Sequence, residues 1–403
     1  MAGIAVSRTA EAPVTALDDS HFVAEVRGFL KHALTDDLRE AGRRMIGVHA
    51  DIEACRIWHR RLYEQGWIAP AWPVGWGGPG WTPFQRFVFD RECALNDAPV
   101  LFAGGLRSVG PLLIEMGTAD QRSRYLPAIL SGDDLWCQGF SEPGAGSDLA
   151  AISTRAGRDD GHYVVNGSKI WTTGAHHSNR MFGIVRTEEN GPRQHGLTFL
   201  LIDMDTPGLT VAPIIGISGD HEFNQVFFDD VRVPVANRVG EENEGWAVAK
   251  RLMQLARSNN TPAALLRRVL RRAAGAVAGV DADASTGLRS RLAGLEIELC
   301  AFEQLELAAL PSGRPGGADQ TTPSMLKLIG SELHQRIAEL VVEAVGPYAA
   351  ASWSALGLAG DAVDVGARAM GKHLAVRAAT IYSGTSETQR NVIARQLLGP
   401  RAV

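Results

Sequence analysis

The feature that most constrains this chain is a change of hydrophobic periodicity that occurs twice along its 403 residues. From about residue 20 to residue 135, and again from Glu242, apolar residues recur at steps of three and four, which predicts helices. Between Leu135 and Pro234, short β-branched and aromatic runs alternate with turn signals, which predicts strands. The order helices, strands, helices predicts an α+β protein.

We expect the two helical parts to be separate domains on either side of a β domain. Asn166-Gly167 separates two strand patterns, His162 to Val165 and Ser168 to Thr173, and predicts a hairpin turn. Segments 288–302 and 326–341 carry helical spacing and predict helices of a C-terminal bundle. The predicted boundaries are an N-terminal extension at 1–20, a helical domain at 21–134, a β domain at 135–241 and a helical bundle at 242–403.

Composition excludes several classes of protein. The formal net charge is −5, so the chain has no basic excess with which to hold a nucleic acid backbone. The four cysteines, Cys55, Cys93, Cys137 and Cys300, are far apart, which favours reduced thiols over disulfides or a metal site. No apolar run approaches the roughly 18 residues of a membrane span, and the N-terminus has no secretory pattern. These features predict a cytoplasmic protein without a metal.

The segment most informative about function is GFSEPGAGSD, residues 139–148. Its three glycines and one proline predict a tight loop with exposed backbone N–H groups, and Ser141 and Ser147 add side-chain donors. Such a surface suits a phosphate or an electron-rich heterocycle. Composition alone is equally compatible with a simple glycine-rich connection.

Three further segments narrow the choice: KIWTTGA at 169–175, GEENEGW at 240–246 and IYSGTSETQRNVIAR at 381–395. Taken alone, Trp171 is more typical of a buried strand aromatic than of a cofactor contact. Taken together and in this order, the four segments resemble the acyl-CoA dehydrogenase family over nearly the whole chain after residue 20. HEFNQVFFDDVRVP and GEENEGW are most similar to the branch that contains the large subunit of pimeloyl-CoA dehydrogenase.

The resemblance implies a helical N-terminal domain, a middle β-barrel domain and a C-terminal four-helix bundle. It implies FAD between the β domain and the bundle, an acyl-CoA thioester as substrate and electron-transferring flavoprotein as electron acceptor. It also implies a homotetramer, or a heterotetramer with a homologous subunit. The implied FAD contacts are Gln138, Gly139, Phe140, Ser141, Ser147, Trp171, Thr172, Thr173, Thr385 and Glu387. The implied substrate contacts are Ser147, Arg257 and Ser383.

The sequence departs from the family at the catalytic base. Family members carry a carboxylate at one of two positions, and these are Ser383 and Ala256 here. Loss of a positioned base typically costs about 10²–10⁴-fold in rate. The backbone N–H of Ser383 survives the substitution, so polarisation of a thioester is retained in principle. Glu387 is the candidate substitute base, followed by His221 and Glu222 in the β domain.

Two other regions are unusual. Residues 257–262, RSNNTP, are poor helix formers and predict a kink in the first bundle helix. The kink is either tolerated or lets Asn259 and Asn260 offer amides to a polar acyl group. Two segments that hold the adenosine half of FAD in the family, expected between Gly275 and Arg289 and at residues 343–348, are altered here.

Four functions remain open from the sequence. The first is an FAD-dependent acyl-CoA dehydrogenase with a displaced base or with one supplied in trans. The second is a base-less subunit of a heteromeric dehydrogenase, and the third is a family offshoot with different flavin chemistry. The fourth is a CoA-ester binding protein without flavin. The intact SEPGAGSD and WTTGA loops favour flavin binding and hence the first two.

Overall fold

The computed structural model describes residues 19–255, 261–281, 285–310, 321–350 and 361–399. The predicted Ala256, Arg257, Asn259 and Asn260 lie outside these residues. The N-terminal part is helical, as predicted. Its helices are α1 (Ser20–Ala33), α2 (Asp36–Arg44), α3 (Ile52–Glu64), α4 (Pro83–Leu95), α5 (Gly110–Met116) and α6 (Ala119–Ser131).

Local sequence explains where two of these helices begin and end. The Thr82 hydroxyl oxygen caps α4 by accepting from the Gln85 N–H, and the Gln85 side-chain oxygen accepts from the Thr82 N–H. Pro83 is the first helical residue. Thr118 starts α6 with the same reciprocal pair. Gly132, at φ 84°, then ends α6 in the left-handed conformation that glycine adopts without a Cβ clash.

The middle part is an eight-stranded sheet. Its strands are β1 (Trp136–Gly139), β2 (Arg155–Asp159), β3 (His162–Lys169), β4 (Arg180–Arg186), β5 (Leu197–Asp203), β6 (Leu209–Ile215), β7 (His221–Pro234) and β8 (Arg238–Val239). The strand order is β6-β7-β3-β2-β4-β5-β8, with β1 paired to β4. Because β6 and β8 do not pair, the sheet is open. The resemblance implied a closed β-barrel, and the structure corrects that expectation. Helices cover one face, so its apolar side chains are buried without closure.

The predicted hairpin at Asn166-Gly167 is wrong. Both residues lie inside β3, where the register with β7 shifts between Val165 and Gly167 as a β-bulge. Asn166 is held there because its side chain donates to Asp230 Oδ1 at 2.9 Å and accepts from the Asp230 N–H at 3.0 Å. The turn between β2 and β3 is instead Asp160-Gly161, at φ 39° and 80°.

The C-terminal part is helical and forms the predicted bundle. Its helices are α7 (Gly245–Leu255), α8 (Ala263–Ala278), α9 (Thr286–Ala308), α10 (Thr321–Val345), α11 (Asp361–Ala375) and α12 (Ser386–Leu398). The long helix α10 is central and packs against α8, α9, α11 and α12. None of the helices in the described ranges is long and apolar enough to cross a membrane.

Three apolar cores hold these parts together. One core is continuous through the N-terminal helices, one face of the sheet and α7, and includes Trp58, Phe199 and Leu252. A second fills the opposite face of the sheet around Tyr163. The third lies inside the bundle around Leu333. All four cysteines are free thiols, as expected.

Candidate active site

The two loops that the sequence singled out lie side by side. The Ile170 N–H donates to the Ser141 carbonyl oxygen at 2.8 Å, which fixes the start of KIWTTGA against the start of GFSEPGAGSD. Gly139 ends β1, and the buried Phe140 ring packs edge-on against Phe182 at 6.1 Å. A single surface therefore carries both motifs.

A buried ion pair ties the same loops together from below. Lys169 Nζ lies 2.7 Å from Glu142 Oε1, and the two side chains are 2% and 4% exposed. Glu142 also accepts from the N–H groups of Ser153 and Thr154 at 2.6 and 3.0 Å. Burial lowers the pKa of Lys169 to about 8. Burial raises the pKa of Glu142, but the Lys169 charge and the donated hydrogen bonds outweigh it, so this pKa is lowered.

Above this pair, the glycine-rich loop is open. Glu142 and Ala145 exchange two backbone hydrogen bonds of 2.9 and 3.0 Å that close a tight turn. A Cβ placed on Gly144 or Gly146 would meet no atom within 4 Å, so neither glycine is packed against another part of the described chain. The predicted Gln138 and Ser147 are exposed, and Ser141 is half-buried.

The WTTG segment presents a ring and a hydroxyl. Trp171 is 57% exposed, and its ring meets Phe223 edge-on at 6.1 Å. Thr172 is fully buried, and its Oγ1 has no hydrogen-bond partner. Its backbone is pinned to β7, because the Thr172 N–H donates to the Asn224 carbonyl oxygen at 2.9 Å. Thr173 follows, half-buried.

The C-terminal motif forms a turn that leads into α12. Thr385 caps α12 by accepting from the Thr388 N–H at 3.2 Å. The Gln389 side-chain amide donates to the carbonyl oxygens of Ser383 and Gly384 at 3.4 and 3.3 Å and fixes the turn. Glu387 is exposed in the first turn of α12.

The candidate substitute base Glu387 has the electrostatics of a helix-capping acid. Hydrogen bonds from its own backbone N–H and from Thr385 lower its pKa, and Arg390 and Lys327 add to the effect. A lowered pKa makes a carboxylate a weaker proton acceptor. This environment suits a charge at a helix N-terminus better than a general base.

The turn before α12 reaches the β domain at Tyr382. Burial raises the pKa of Tyr382 to about 12, and the nearby Glu222 charge on β7 adds to the effect. The Glu222 carbonyl oxygen accepts from the Gly174 N–H at 2.9 Å, directly after the WTTG segment. Tyr382 thus brings the C-terminal motif toward the loops of the β domain.

A short loop from the N-terminal domain completes this junction. The Val48 N–H donates to Glu222 Oε1 at 2.5 Å. Lys372, on α11, donates to the carbonyl oxygens of Ile46 and Gly47 at 2.8 and 3.2 Å. Loop 46–48 therefore contacts both the sheet and the bundle.

Backbone strain marks two of the predicted site residues. Six non-glycine residues in the described ranges have positive φ, and four of them are aspartate or asparagine, which tolerate that region. The other two are Trp171, at 59°, and Ser383, at 55°. Strained residues of this kind concentrate at functional sites. The left-handed conformation was not predictable from local sequence at either position.

The surroundings of these loops fit a bound FAD. Three buried polar atoms lack hydrogen-bond partners: Thr172 Oγ1 in the WTTG segment, Ser386 Oγ at the start of α12 and Lys327 Nζ on α10. Burial lowers the pKa of Lys327, and the negative charge of Glu387 opposes this effect. A cation therefore lies beside the start of α12. Unsatisfied donors and a cation suit the polar ring edge and pyrophosphate of the cofactor, and the exposed indole suits its ring.

No group of three or more histidine, cysteine or acidic side chains in the described parts of the chain is arranged to hold a metal ion. Sequence reasoning did not single out Lys327 or Tyr382. It also missed a cluster of histidines behind the WTTG segment, because its members come from three distant parts of the chain.

Comparison with known proteins agrees with this geometry. Three family models match the chain: the acyl-CoA dehydrogenase N-terminal domain at residues 18–133, the middle domain at 137–231 and the C-terminal domain at 243–398. The fold and these matches thus define a flavoprotein oxidoreductase that acts on CH–CH groups of acyl-CoA. The chain belongs to the acyl-CoA dehydrogenase family, whose members depend on FAD, and the resemblance read from the four motifs is confirmed.

Individual relatives are similar over almost the full length. Acyl-CoA dehydrogenase IpdE1 of Mycobacterium tuberculosis is 35% identical over 391 residues, which is 95% of this chain and 98% of the relative. IpdE1 of Mycolicibacterium smegmatis is 35% identical over 409 residues, covering 96% and 99%. The solved Tcur3481-Tcur3483 steroid ACAD has a TM-score of 0.80 at 28% identity, covering 96% of this chain and 98% of that one. The ChsE4-ChsE5 complex from Mycobacterium tuberculosis gives 0.80 at 28%, covering 97% and 99%.

Proposed function

We propose that this chain is the FAD-binding, base-less subunit of a hetero-oligomeric acyl-CoA dehydrogenase that desaturates a steroid-derived acyl-CoA between its α and β carbons. The observation that carries the proposal is the turn at Tyr382-Ser383-Gly384. Ser383 and Gly384 both adopt positive φ in this turn. Residue 383 carries a neutral hydroxyl where the family has a carboxylate. A neutral serine hydroxyl is a far weaker proton acceptor than a carboxylate.

The relatives support a second chain as the source of the base. The names of two solved structures with a TM-score of 0.80 each give two components, Tcur3481-Tcur3483 and ChsE4-ChsE5. The word steroid in the first name supports the substrate class. In this proposal a homologous partner supplies the carboxylate, and electron-transferring flavoprotein receives the electrons.

The residues of this chain would bind and orient FAD and the acyl-CoA thioester. Gln138 to Ser141, Ser147, Trp171 to Thr173, Thr385 and Glu387 would hold FAD, which accepts a hydride from the β carbon when bound. The Ser383 N–H would donate to the thioester oxygen and stabilise negative charge that develops there. Ser147 and Arg257 would hold the CoA ester. The two loops and the turn before α12 would exclude water from the reacting carbons.

Anaerobic titration of the FAD-loaded chain with acyl-CoAs tests the proposal, with the flavin absorbance band as the readout. The panel pairs a steroid side-chain CoA with straight-chain CoAs. We expect the chain alone to leave the band unchanged. Ser383→Glu, which places a carboxylate at the family position, should make the band bleach, at a rate at least about 10²-fold above any residual bleaching by the unmodified chain.

Ser383→Gln is the matched control, because it has nearly the same size without the negative charge, and it should leave the band unchanged. Rapid bleaching by the unmodified chain alone would show a base within it and overturn the base-less assignment. Loss of that bleaching in Glu387→Gln would then identify the base.

A further inference from the structure

Four histidines meet behind the WTTG segment. His176 and His177 form a short helical turn after Gly174, His221 begins β7, and His49 comes from the loop before α3. The His176 ring stacks on His221 with centroids 3.7 Å apart and planes at 15°. His177 lies 3.9 Å from His176 and 6.3 Å from His49.

Asn224 links this cluster to the WTTG segment. Asn224 is fully buried, and its side-chain nitrogen lies 3.0 Å from the Thr172 carbonyl oxygen and 3.0 Å from His176 Nδ1. Its side-chain oxygen lies 2.8 Å from His221 Nε2. All three polar positions of the amide are thus engaged, two with histidines and one with the predicted flavin loop.

These contacts fix where the protons lie. The Thr172 carbonyl oxygen only accepts, so the Asn224 nitrogen must face it, and the same nitrogen must donate to His176 Nδ1. His176 Nδ1 is therefore the acceptor and carries no proton while the contact exists, and the neutral ring is protonated at Nε2. His221 donates from Nε2 to the Asn224 oxygen, and protonation of its other nitrogen leaves that bond intact.

We propose that Asn224 and His176 are positioning residues that hold Trp171 to Thr173 in the flavin-binding conformation, and that a proton on His176 Nδ1 releases this segment. The inference rests on the proposed role of these residues in holding FAD. A proton on Nδ1 would oppose two donors across 3.0 Å and place an imidazolium on the His221 ring. Either the Asn224 amide or the His176 ring must then move. If the amide moves, its hydrogen bond to the Thr172 carbonyl oxygen is lost.

The charges around the cluster disfavour this proton. Burial lowers the pKa of His176 to about 4, and His177, His221 and His49 lower it further. His177 is affected in the same direction by burial and by His49. The facing helix α3 adds Arg56, which lowers the pKa of His177, and Asp51 just before that helix opposes it. Glu222 is the acidic neighbour on β7, with its carboxylate engaged by Val48 N–H.

The sign of the pH effect follows from these positions. With the segment held, the pKa of His176 is about 4, and on release it returns toward the free value of 6.5. Release of the segment therefore takes up a proton below pH 6.5, and FAD binding, which in this proposal requires the held segment, opposes that uptake. The affinity for FAD is highest above pH 6.5. It falls as the pH drops from 6.5 toward 4, by at most about tenfold per pH unit. Between pH 7.5 and pH 5.0 the dissociation constant should rise by up to about 30-fold.

The dissociation constant for FAD, measured by quenching of flavin fluorescence across this pH range, tests the inference. His176→Gln keeps a carbonyl oxygen that accepts from Asn224 and does not titrate, so its dissociation constant should change by less than about threefold. His162→Gln is the matched control, since His162 lies on β3 and its ring contacts the Asp160 carbonyl oxygen. It should show the full pH dependence of the unmodified chain.

Asn224→Asp provides an independent variant of nearly identical shape. An aspartate lacks both N–H donors, so affinity for FAD should fall at every pH while circular dichroism stays unchanged. Equal pH dependence in His176→Gln and the unmodified chain would overturn the inference and leave the proposed function standing. Failure of the unmodified chain to bind FAD at any pH would overturn both.

Discussion

Glu142 and Lys169 form an ion pair of 2.7 Å that is almost completely shielded from water. Each residue belongs to a different motif, and the pair lies under the hydrogen bond that joins Ile170 to Ser141. Lys169 also donates to the Phe140 carbonyl oxygen at 3.3 Å, so its ammonium group has two acceptors. The relative position of the two loops therefore depends on this pair.

Replacing Lys169 by methionine should destabilise the protein by about 3–5 kcal/mol, because it leaves the Glu142 carboxylate buried without a countercharge. Urea unfolding followed by circular dichroism measures the effect. Lys169→Met combined with Glu142→Gln should recover most of the loss. The exposed pair Arg193–Asp148 is the control, since Arg193→Met there should cost less than about 1 kcal/mol. A cost below 1 kcal/mol for Lys169→Met would contradict the role assigned to the pair.

Lys372 predicts a stability change on the alkaline side. Burial lowers its pKa to about 7, and the Arg268 charge acts in the same direction against Glu222. The folded state therefore binds fewer protons than the unfolded chain between about pH 7 and the free value near 10.5, so stability rises with pH there. Between pH 7 and pH 9 the free energy of unfolding should increase by about 2 kcal/mol. Lys372→Met should abolish the increase, and a slope retained in that variant would argue against it.

Ser383 predicts a stabilising substitution. Its φ of 55° places a Cβ in the left-handed region, where non-glycine residues are disfavoured by about 1–2 kcal/mol. Ser383→Gly should raise the free energy of unfolding by about 0.5–1 kcal/mol, after the greater chain entropy of glycine is subtracted. Ser386→Gly, three residues later in α12, should lower it. Destabilisation by both changes would refute the strain at Ser383.

Trp171 predicts a loss confined to the cofactor. Because the side chain is 57% exposed, Trp171→Ala should leave thermal unfolding of the FAD-free chain nearly unchanged. Its exposed ring follows Ile170, whose N–H is bonded to Ser141 of the glycine loop, so affinity for FAD should fall by about tenfold or more. Phe227→Ala, on β7 and 41% exposed, is the control and should retain FAD. Equal FAD affinity in both variants would remove Trp171 from the site.

The sequence predicted the three-part architecture, because periodicity changes between helices and strands and needs no tertiary information. It failed at Asn166-Gly167, where the local signal for a turn is strong. There, β7 is long enough to pair with both halves of β3, and the extra residue of the bulge lies on β7, where Asp229 and Asp230 both stand opposite Asn166. The open sheet also depended on what covers its faces, which no local pattern records.

The site was predictable to the extent that it is made of short motifs. Residues 139–148 and 169–175 are adjacent in the structure, as their shared chemistry suggested. The Asn224 contacts, the unsatisfied Lys327 and the junction at Glu222 were not predictable, since each joins residues far apart in sequence. The left-handed conformation of Trp171 was likewise hidden, because tryptophan is rarely found there.

Loop 46–48 has a consequence for how mutations spread through the molecule. A Cβ on Gly47 would lie 2.5 Å from Glu222 Oε1, so even alanine at this position forces that carboxylate to move. Two residues of the same loop, Ile46 and Gly47, accept hydrogen bonds from Lys372 of the bundle. A single methyl group placed at residue 47, 92 residues before the first of the site motifs, would thus disturb the contacts between all three domains, and a loss of flavin caused by it would be misread as damage to the cofactor loops.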